Sequence, residues 1–354
     1  MKNLPPALPI EQIETREVLK KLTETRAALA ELKGVAATIP NEQILIDTLS
    51  LQEAKDSSAI ENIVTTHNEL YQSNYATRSF PSPAAKEVYA YAEALKAGYA
   101  EIKNQGVITL KLILRIQEII ERNNAGVRQL PGTVLKNEQT GEVVYTPPQH
   151  KDEILKLLYN LEDFMNNGAD YPVDPLVKMA IIHHQFESIH PFYDGNGRTG
   201  RIVNILYLIQ EDLLNLPILY ISRYVIRHRQ EYYRLLQEQR HTEAWVPWIL
   251  YMLEAVETTA RETVDKIKAI KKLMQTYKQR IRNEEPRMYS QDLINNLFRH
   301  PYTKIGLLKQ DLQVTRVTAT RYLDRLSDMG MLQKTRIGRS NYYINMPLFQ
   351  LLQG

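Results

Sequence analysis

The sequence predicts an all-α fold, a helical core interrupted by one β-hairpin and followed by a C-terminal winged-helix domain. Three observations carry this reading. Apolar residues recur at three- and four-residue intervals through most of the 354 positions, the spacing of amphipathic helices. A single β-prone hairpin stands between residues 126 and 148. Residues 286–354 place three helical stretches before a β-ribbon with a basic tip, the winged variant of helix-turn-helix.

In chain order, helical spacing runs through Ile10 to Leu32, Leu45 to Leu70, Ala84 to Ala97 and Leu110 to Ile120. The pattern changes at Thr133-Val134-Leu135, crosses polar Lys136 to Glu142 with Gly141 as a turn residue, and returns in Val143 to Thr146, stopped by Pro147-Pro148. Helices resume at Ile154 to Met165, Pro175 to Ile189, Arg198 to Leu214 and Glu231 to Gln239, and a long one is expected from Val246 to about Asn283. Glu284-Glu285-Pro286 reads as a hinge, since proline cannot continue a helix. Helices follow at Met288 to Arg299, Ile305 to Gln310 and Thr315 to Met329, then a hairpin around Gly338 within Met331 to Ile344. The expected modules are an N-terminal helical region (1–109), a catalytic domain (110–285) and the winged helix (286–354).

The chain has 44% hydrophobic and 24% charged residues, which suits a folded soluble protein. Its apolar runs, such as Ile202 to Ile209 broken by Asn204, are too short to span a membrane, and residues 1–13 lack a signal-peptide pattern, so a cytoplasmic protein without a membrane partner is expected. The absence of cysteine excludes disulfides, thiolate zinc sites and cysteine nucleophiles. Net charge is +3, but residues 286–354 hold ten Lys/Arg against four Asp/Glu, leaving 34 against 37 elsewhere. That concentration fits a module that meets nucleic acid, or simply a solvated basic face.

Residues 190–201 read His-Pro-Phe-Tyr-Asp-Gly-Asn-Gly-Arg-Thr-Gly-Arg. Gly195 and Gly197 let backbone N–H groups turn toward an anion at a helix N-terminus, where the dipole favours phosphate. Arg198 and Arg201 lie one turn apart, so both guanidiniums can reach one polyphosphate. Asp194 offers a hard oxygen for Mg²⁺, and His190, ending the preceding helix, can take a proton near neutral pH. Gly195 to Gly200 also fits Gly-x-Gly-x-x-Gly, but helical spacing rather than a strand precedes it, which argues against a dinucleotide fold. His183 and His184 lack a His-Glu-x-x-His context and read as polar core residues rather than zinc ligands.

The loop resembles the signature His-Pro-Phe-x-Asp-Gly-Asn-Gly-Arg-x-x-Arg of the Fic (filamentation induced by cAMP) domain family, matching every specified position. The resemblance implies a Fic-type helical core and transfer of AMP from ATP with Mg²⁺ to a Ser, Thr or Tyr hydroxyl of a target protein or of the chain itself. It implies His190 as general base, Phe192 as core anchor and Asp194 as Mg²⁺ ligand. Gly195, Asn196 and Gly197 become the anion hole, Arg198 a β/γ-phosphate contact and Arg201 the γ-phosphate clamp. Gly197 stands where the related Doc-type kinases tend to carry lysine, which favours the AMP-transferring branch. Tyr232 and Tyr233 resemble the family's adenine-side helix, while Arg240 stands where some relatives have Asn. The hairpin Thr133 to Thr146 resembles the Fic flap, whose edge pairs with an extended target segment.

Ser57-Ser58-Ala59-Ile60-Glu61-Asn62 resembles the family's inhibitory motif in its class II position. The resemblance implies that Glu61 reaches Arg201 and keeps ATP from a productive pose, while Ser57, one turn earlier, orients the carboxylate. Some relatives with such a glutamate also remove AMP. The rival reading is a DNA-binding regulator with a nucleotide-sensing core, resting on Arg316, Arg321, Arg336 and Arg339. A toxin kinase, or a UMP or phosphocholine transferase, would use the same loop with another donor or product. DNA or a protein at the winged helix, and a homodimer, stay open as partners.

Overall fold

The computed structural model describes residues 3–72, 80–137, 140–167, 171–337 and 340–353. The N-terminal region comprises α1 (Ile10–Ile13), α2 (Arg16–Ala36), α3 (Glu42–Ile60) and α4 (His67–Gln72). The single helix expected over Ile10 to Leu32 divides because Thr15 caps α2, its hydroxyl accepting from the Val18 N–H. The one expected over Leu45 to Leu70 stops after Ile60, because Asn62 turns left-handed at φ 62° and the Ile63 N–H closes back on the Ser58 carbonyl at 3.0 Å. That break leaves Glu61 at a helix end.

The middle region runs through α5 (Pro83–Gln105), α6 (Leu110–Glu121), a two-stranded antiparallel hairpin of β1 (Leu135–Lys136) and β2 (Val143–Tyr145), α7 (Lys151–Asn166), α8 (Pro175–Ile189), α9 (Asn196–Gln210), α10 (Ser222–Arg227), α11 (Arg229–Thr242) and α12 (Trp245–Glu284). Every residue of α8 from Leu176 to Ile189 is buried. α9 is buried throughout apart from the half-buried Gly197 and Gln210, so this helix pair forms the centre of the molecule. α9 begins two residues earlier than the spacing predicts and ends at Gln210, where Asp212 turns left-handed. α10 has no counterpart in the sequence reading. No helix among the described residues is long and apolar enough to cross a membrane.

The C-terminal region has α13 (Gln291–Arg299), β3 (Tyr302–Thr303), α14 (Ile305–Leu312), α15 (Arg316–Asp328), β4 (Gln333–Ile337), β5 (Ser340–Ile344) and α16 (Met346–Gln353), with an antiparallel sheet in the order β3-β5-β4. β3 and α16 were not foreseen, and Gly338 and Arg339 of the expected tip lie outside the described residues. The long helix breaks near Glu285 as the sequence indicates, but contacts span the break. The Tyr277 hydroxyl on α12 donates to the Met331 carbonyl at 2.6 Å, and Arg280 donates to the Met329 carbonyl at 3.0 Å. Arg299 donates to Asp47 on α3 at 2.8 Å, and the Tyr302 hydroxyl donates to Asn68 on α4 at 2.8 Å. The expected hinge is therefore a packed joint, and the third module leans on the helix that ends at Glu61.

Candidate active site

The connection between α8 and α9 is short because each of its residues closes a bond. His190 caps α8 in a left-handed conformation (φ 47°), its N–H returning to the Phe186 carbonyl at 3.0 Å. Phe192 is fully buried against Phe186. Asn196 holds the Phe192 backbone from both sides, accepting its N–H at 2.8 Å and donating to its carbonyl at 2.9 Å. The Asn196 side chain is thus committed to loop shape, and only its backbone amide is available to an anion. Gly195 takes φ 75° as it starts α9, a conformation that favours glycine.

Arg198 and Arg201 emerge on the next turn, and Glu61 bridges them. Its Oε2 accepts from Arg198 Nε at 2.7 Å and its Oε1 from Arg201 Nη2 at 2.9 Å. The sequence reading directed Glu61 to Arg201 alone; the structure brings both arginines onto it. Ser57 differs from expectation too. Rather than orienting Glu61, it holds Arg201, accepting Nε on Oγ at 2.7 Å and Nη2 on its carbonyl at 2.9 Å. A Cβ at Gly197 would meet Glu61 Oε1 at 2.6 Å and Arg201 Nη1 at 2.8 Å, so a side chain there would dislodge this arrangement. Both arginines are buried, which strengthens their ion pairs relative to surface ones.

Two acids the sequence did not single out complete the cluster. Arg198 Nη2 donates to Glu121 at 2.8 Å and Nη1 to Glu87 at 3.3 Å. Their signal was three-dimensional, since no local motif separates Glu87 from Glu93 and Glu101 on α5, or Glu121 from Glu118 on α6. Asp194 is unlike them. Its side chain is 74% exposed, 3.7 Å from Arg198, with Oδ1 accepting the Gly195 N–H at 2.7 Å. One accessible carboxylate beside a glycine turn at a helix N-terminus suits a Mg²⁺ that retains most of its water.

Burial, then the guanidiniums of Arg128 and Arg240, push the His190 imidazole down to about 4, so it is neutral at pH 7. Arg128, also missed from sequence, is wholly buried and donates from Nε to the His190 carbonyl at 2.8 Å and from Nη2 to the Pro148 carbonyl. It ties the end of α8 to the base of the hairpin. Arg240 donates to Ser188 Oγ at 2.9 Å and to the Glu187 carbonyl at 3.1 Å, and lies 3.9 Å over the Tyr145 ring of β2. The Tyr145 hydroxyl donates to the Ser188 carbonyl at 3.0 Å, and the Tyr193 hydroxyl accepts the Gln129 N–H at 3.0 Å. The hairpin is anchored directly beside His190, with Val143 and Val144 exposed along it.

Of the two tyrosines expected on the adenine side, Tyr232 is buried, its hydroxyl 2.8 Å from His183 Nε2 and its ring among Trp248 and Tyr251. It is a core residue. Tyr233 is 41% exposed, with the Arg229 guanidinium 5.7 Å from its ring centre. His183 and His184 are buried against Trp248 as the sequence indicates, each held neutral with burial pushing it down to about 3.

Three family models match the chain in succession. Residues 19–100 fit the Fic/DOC family N-terminal model, 107–208 the Fic/DOC family model, and 273–348 the C-terminal domain model of the SoFic-like protein adenylyltransferases. Protein adenylyltransferase Fic of Drosophila willistoni is 23% identical over 254 residues, 69% of this chain and 49% of that protein. A probable protein adenylyltransferase of Aquifex aeolicus is 29% identical over 199 residues, covering 54% and 56%. The chain thus spans about half the length, or less, of the curated relatives it matches first. Among solved structures, a Fic family protein of Desulfovibrio desulfuricans aligns with TM-score 0.60 at 21% identity, over 96% of this chain and 98% of that one. A Fic domain containing signaling protein of Bacteroides thetaiotaomicron aligns with TM-score 0.57 at 18% identity, over 69% and 98%. The fold is shared with these structures, the successive models cover both the helical arm and the central loop, and the chain belongs to the Fic/DOC family.

Proposed function

We propose that the chain is a protein adenylyltransferase that moves AMP from ATP to a Ser, Thr or Tyr hydroxyl, of a target or of itself, and is restrained by Glu61. The observation that carries this is the convergence of Arg198 and Arg201 on one carboxylate, at 2.7 and 2.9 Å, directly over the Gly195–Gly197 turn. Two buried guanidiniums one turn apart at a helix N-terminus match a polyphosphate, and Glu61 stands in for its terminal phosphate. While it stays, the γ-phosphate meets a like charge and ATP is kept from presenting its α-phosphorus.

With Glu61 withdrawn, Arg201 clamps the γ-phosphate, Arg198 contacts the β/γ-phosphates, and the amides of Asn196 and Gly197 face the α/β oxygens, the Gly195 amide being held by Asp194. Asp194 would hold Mg²⁺, which neutralises phosphate charge. Neutral His190 accepts the target hydroxyl's proton as its oxygen bonds to the α-phosphorus, and the bond from that phosphorus to the bridging oxygen breaks, releasing pyrophosphate. The exposed Val143 and Val144 of the Thr133 to Thr146 hairpin mark the edge that would receive the target as an added strand beside His190. In this reading residues 1–109 restrain, 110–285 catalyse and 286–354 select a partner, in the cytoplasm.

The test is incubation of Glu61→Gly protein with ATP labelled at the α-phosphate, followed by mass spectrometry of the product. An added AMP is expected; an added phosphate, UMP or phosphocholine under matching donors replaces the donor assignment, and no adduct from any donor removes the enzyme reading. A second reading, DNA binding by the C-terminal module, is favoured by α15, where Arg316, Arg321 and a 79% exposed Val317 face solvent. Duplex binding that weakens steeply with salt and is lost in Arg316→Ala/Arg321→Ala supports it; salt-insensitive or absent binding removes it.

A further inference from the structure

We infer that Glu121 is a second restraining carboxylate, built into the catalytic body rather than the N-terminal arm, and that it limits how tightly the 195–201 turn holds phosphate after Glu61 has left. The inference rests on the proposed reading of that turn as a polyphosphate site.

Each nitrogen of Arg198 meets a carboxylate from a different helix: Nε meets Glu61 after α3, Nη1 meets Glu87 on α5 and Nη2 meets Glu121 on α6. Setting aside Asp194, which that reading reserves for Mg²⁺, three carboxylates face the two guanidiniums of Arg198 and Arg201, a formal excess of one negative charge. Removing Glu61 leaves two against two. Both Nη groups of Arg198 then still face carboxylates, so the turn is not cleared for a phosphate chain when Glu61 is gone.

Glu121 is also placed where the anion has to approach. A Cβ built on Gly195 would lie 2.6 Å from Glu121 Oε1, just as one on Gly197 would lie 2.6 Å from Glu61 Oε1. The two carboxylates thus cover the two glycine faces in parallel. Neither is where a helix prefers an acid. Glu61 caps the C-terminus of α3, and Glu121 is the last residue of α6, whose final turn carries no basic side chain. Burial raises the Glu121 carboxyl, Arg198 opposes that, and Asp194, Glu61 and Glu87 add to it. Its negative charge is held in place by Arg198, and Arg198 is the group a phosphate chain would claim. A simple strut would not need this position, because Glu87 already holds the same guanidinium.

The test uses tripolyphosphate, which carries no AMP, titrated calorimetrically into the full chain as Glu61→Gly and as Glu61→Gly/Glu121→Gln. The double variant should bind at least about five-fold tighter, the effect of removing one like charge at close range in a partly hydrated site. Glu121→Asp in the same background withdraws the carboxylate by one methylene and should shift affinity in the same direction, so the test survives if the Gln variant does not fold. Equal or weaker binding in the folded variants overturns the inference and makes Glu121 a positioning residue for Arg198. Labelling with ATP is measured in parallel. Absent labelling with tightened tripolyphosphate binding tells against AMP transfer while leaving the role of Glu121 intact.

Discussion

Arg201 grips Ser57 twice, through Nε onto the hydroxyl at 2.7 Å and through Nη2 onto the backbone carbonyl at 2.9 Å. The end of α3 is therefore fastened to Arg201 through its own backbone as well as through Glu61. Ser57→Ala removes one of the two bonds and leaves the carbonyl contact and the Glu61 pair. It should raise AMP incorporation about three- to ten-fold, the equivalent of one ordinary hydrogen bond of about 1 kcal/mol, and by less than Glu61→Gly does. Incorporation is read from α-labelled ATP at fixed time. A Ser57→Ala rate equal to wild type would show that the hydroxyl contributes nothing to restraint.

His190→Ala in the Glu61→Gly background should reduce transfer by a factor of about 100 or more while ATP still binds, since in the proposed reading the imidazole moves a proton and the arginines hold the phosphates. Burial keeps the ring neutral well below pH 7, so the transfer rate should not show an acidic limb between pH 6 and 8 from this group. Calorimetry and labelling on the same preparation separate the two effects. Undiminished labelling would reassign the base.

Arg128 holds the His190 carbonyl and the Pro148 carbonyl from a fully buried position. Arg128→Met fills much of the volume but leaves these acceptors unpaired, at a cost of roughly 2–4 kcal/mol in unfolding free energy. In the Glu61→Gly background the transfer step should slow while affinity for ATP stays within about two-fold, because Arg198 and Arg201, the proposed phosphate contacts, are untouched. Denaturant titration and initial rates report the two. Unchanged rates in a destabilised protein would make Arg128 structural only.

Glu53 lies one turn before Ser57 and is buried among the Ser222 N–H (3.1 Å), the Ser222 hydroxyl (2.5 Å) and the Tyr91 hydroxyl (3.0 Å). Burial pushes its carboxyl up from 4.5 to about 7, against the hydrogen bonds that favour the ionised form. The folded state then binds the proton more tightly than the unfolded state. Its contribution to stability is full below about pH 4.5 and is lost as pH rises toward 7, on the order of 3 kcal/mol across that window. Glu53→Gln should flatten the decline, so that variant and wild type diverge as pH increases. Parallel curves from pH 5 to pH 8 would show that Glu53 titrates normally.

The sequence alone determined the local pieces. Helical spacing, the hairpin and the twelve-residue loop depend on neighbours within a turn or two, and they appear where the residues indicate, as do the buried His183 and His184. Element ends were less legible, because a single left-handed residue such as Asn62 or Asp212 stops a pattern whose apolar spacing continues. Tertiary structure alone decided which groups surround Arg198. Glu61, Glu87 and Glu121 reach it from positions 137, 111 and 77 residues away; Glu61 stands in a motif that pointed only to Arg201, and Glu87 and Glu121 look in sequence like any other helical glutamate. It also decided that Tyr232 is core while Tyr233 is not, and that the third module rests on α3 through Asp47 and Arg299. Periodicity records which face a residue is on; the charges that meet across that face depend on how helices pack.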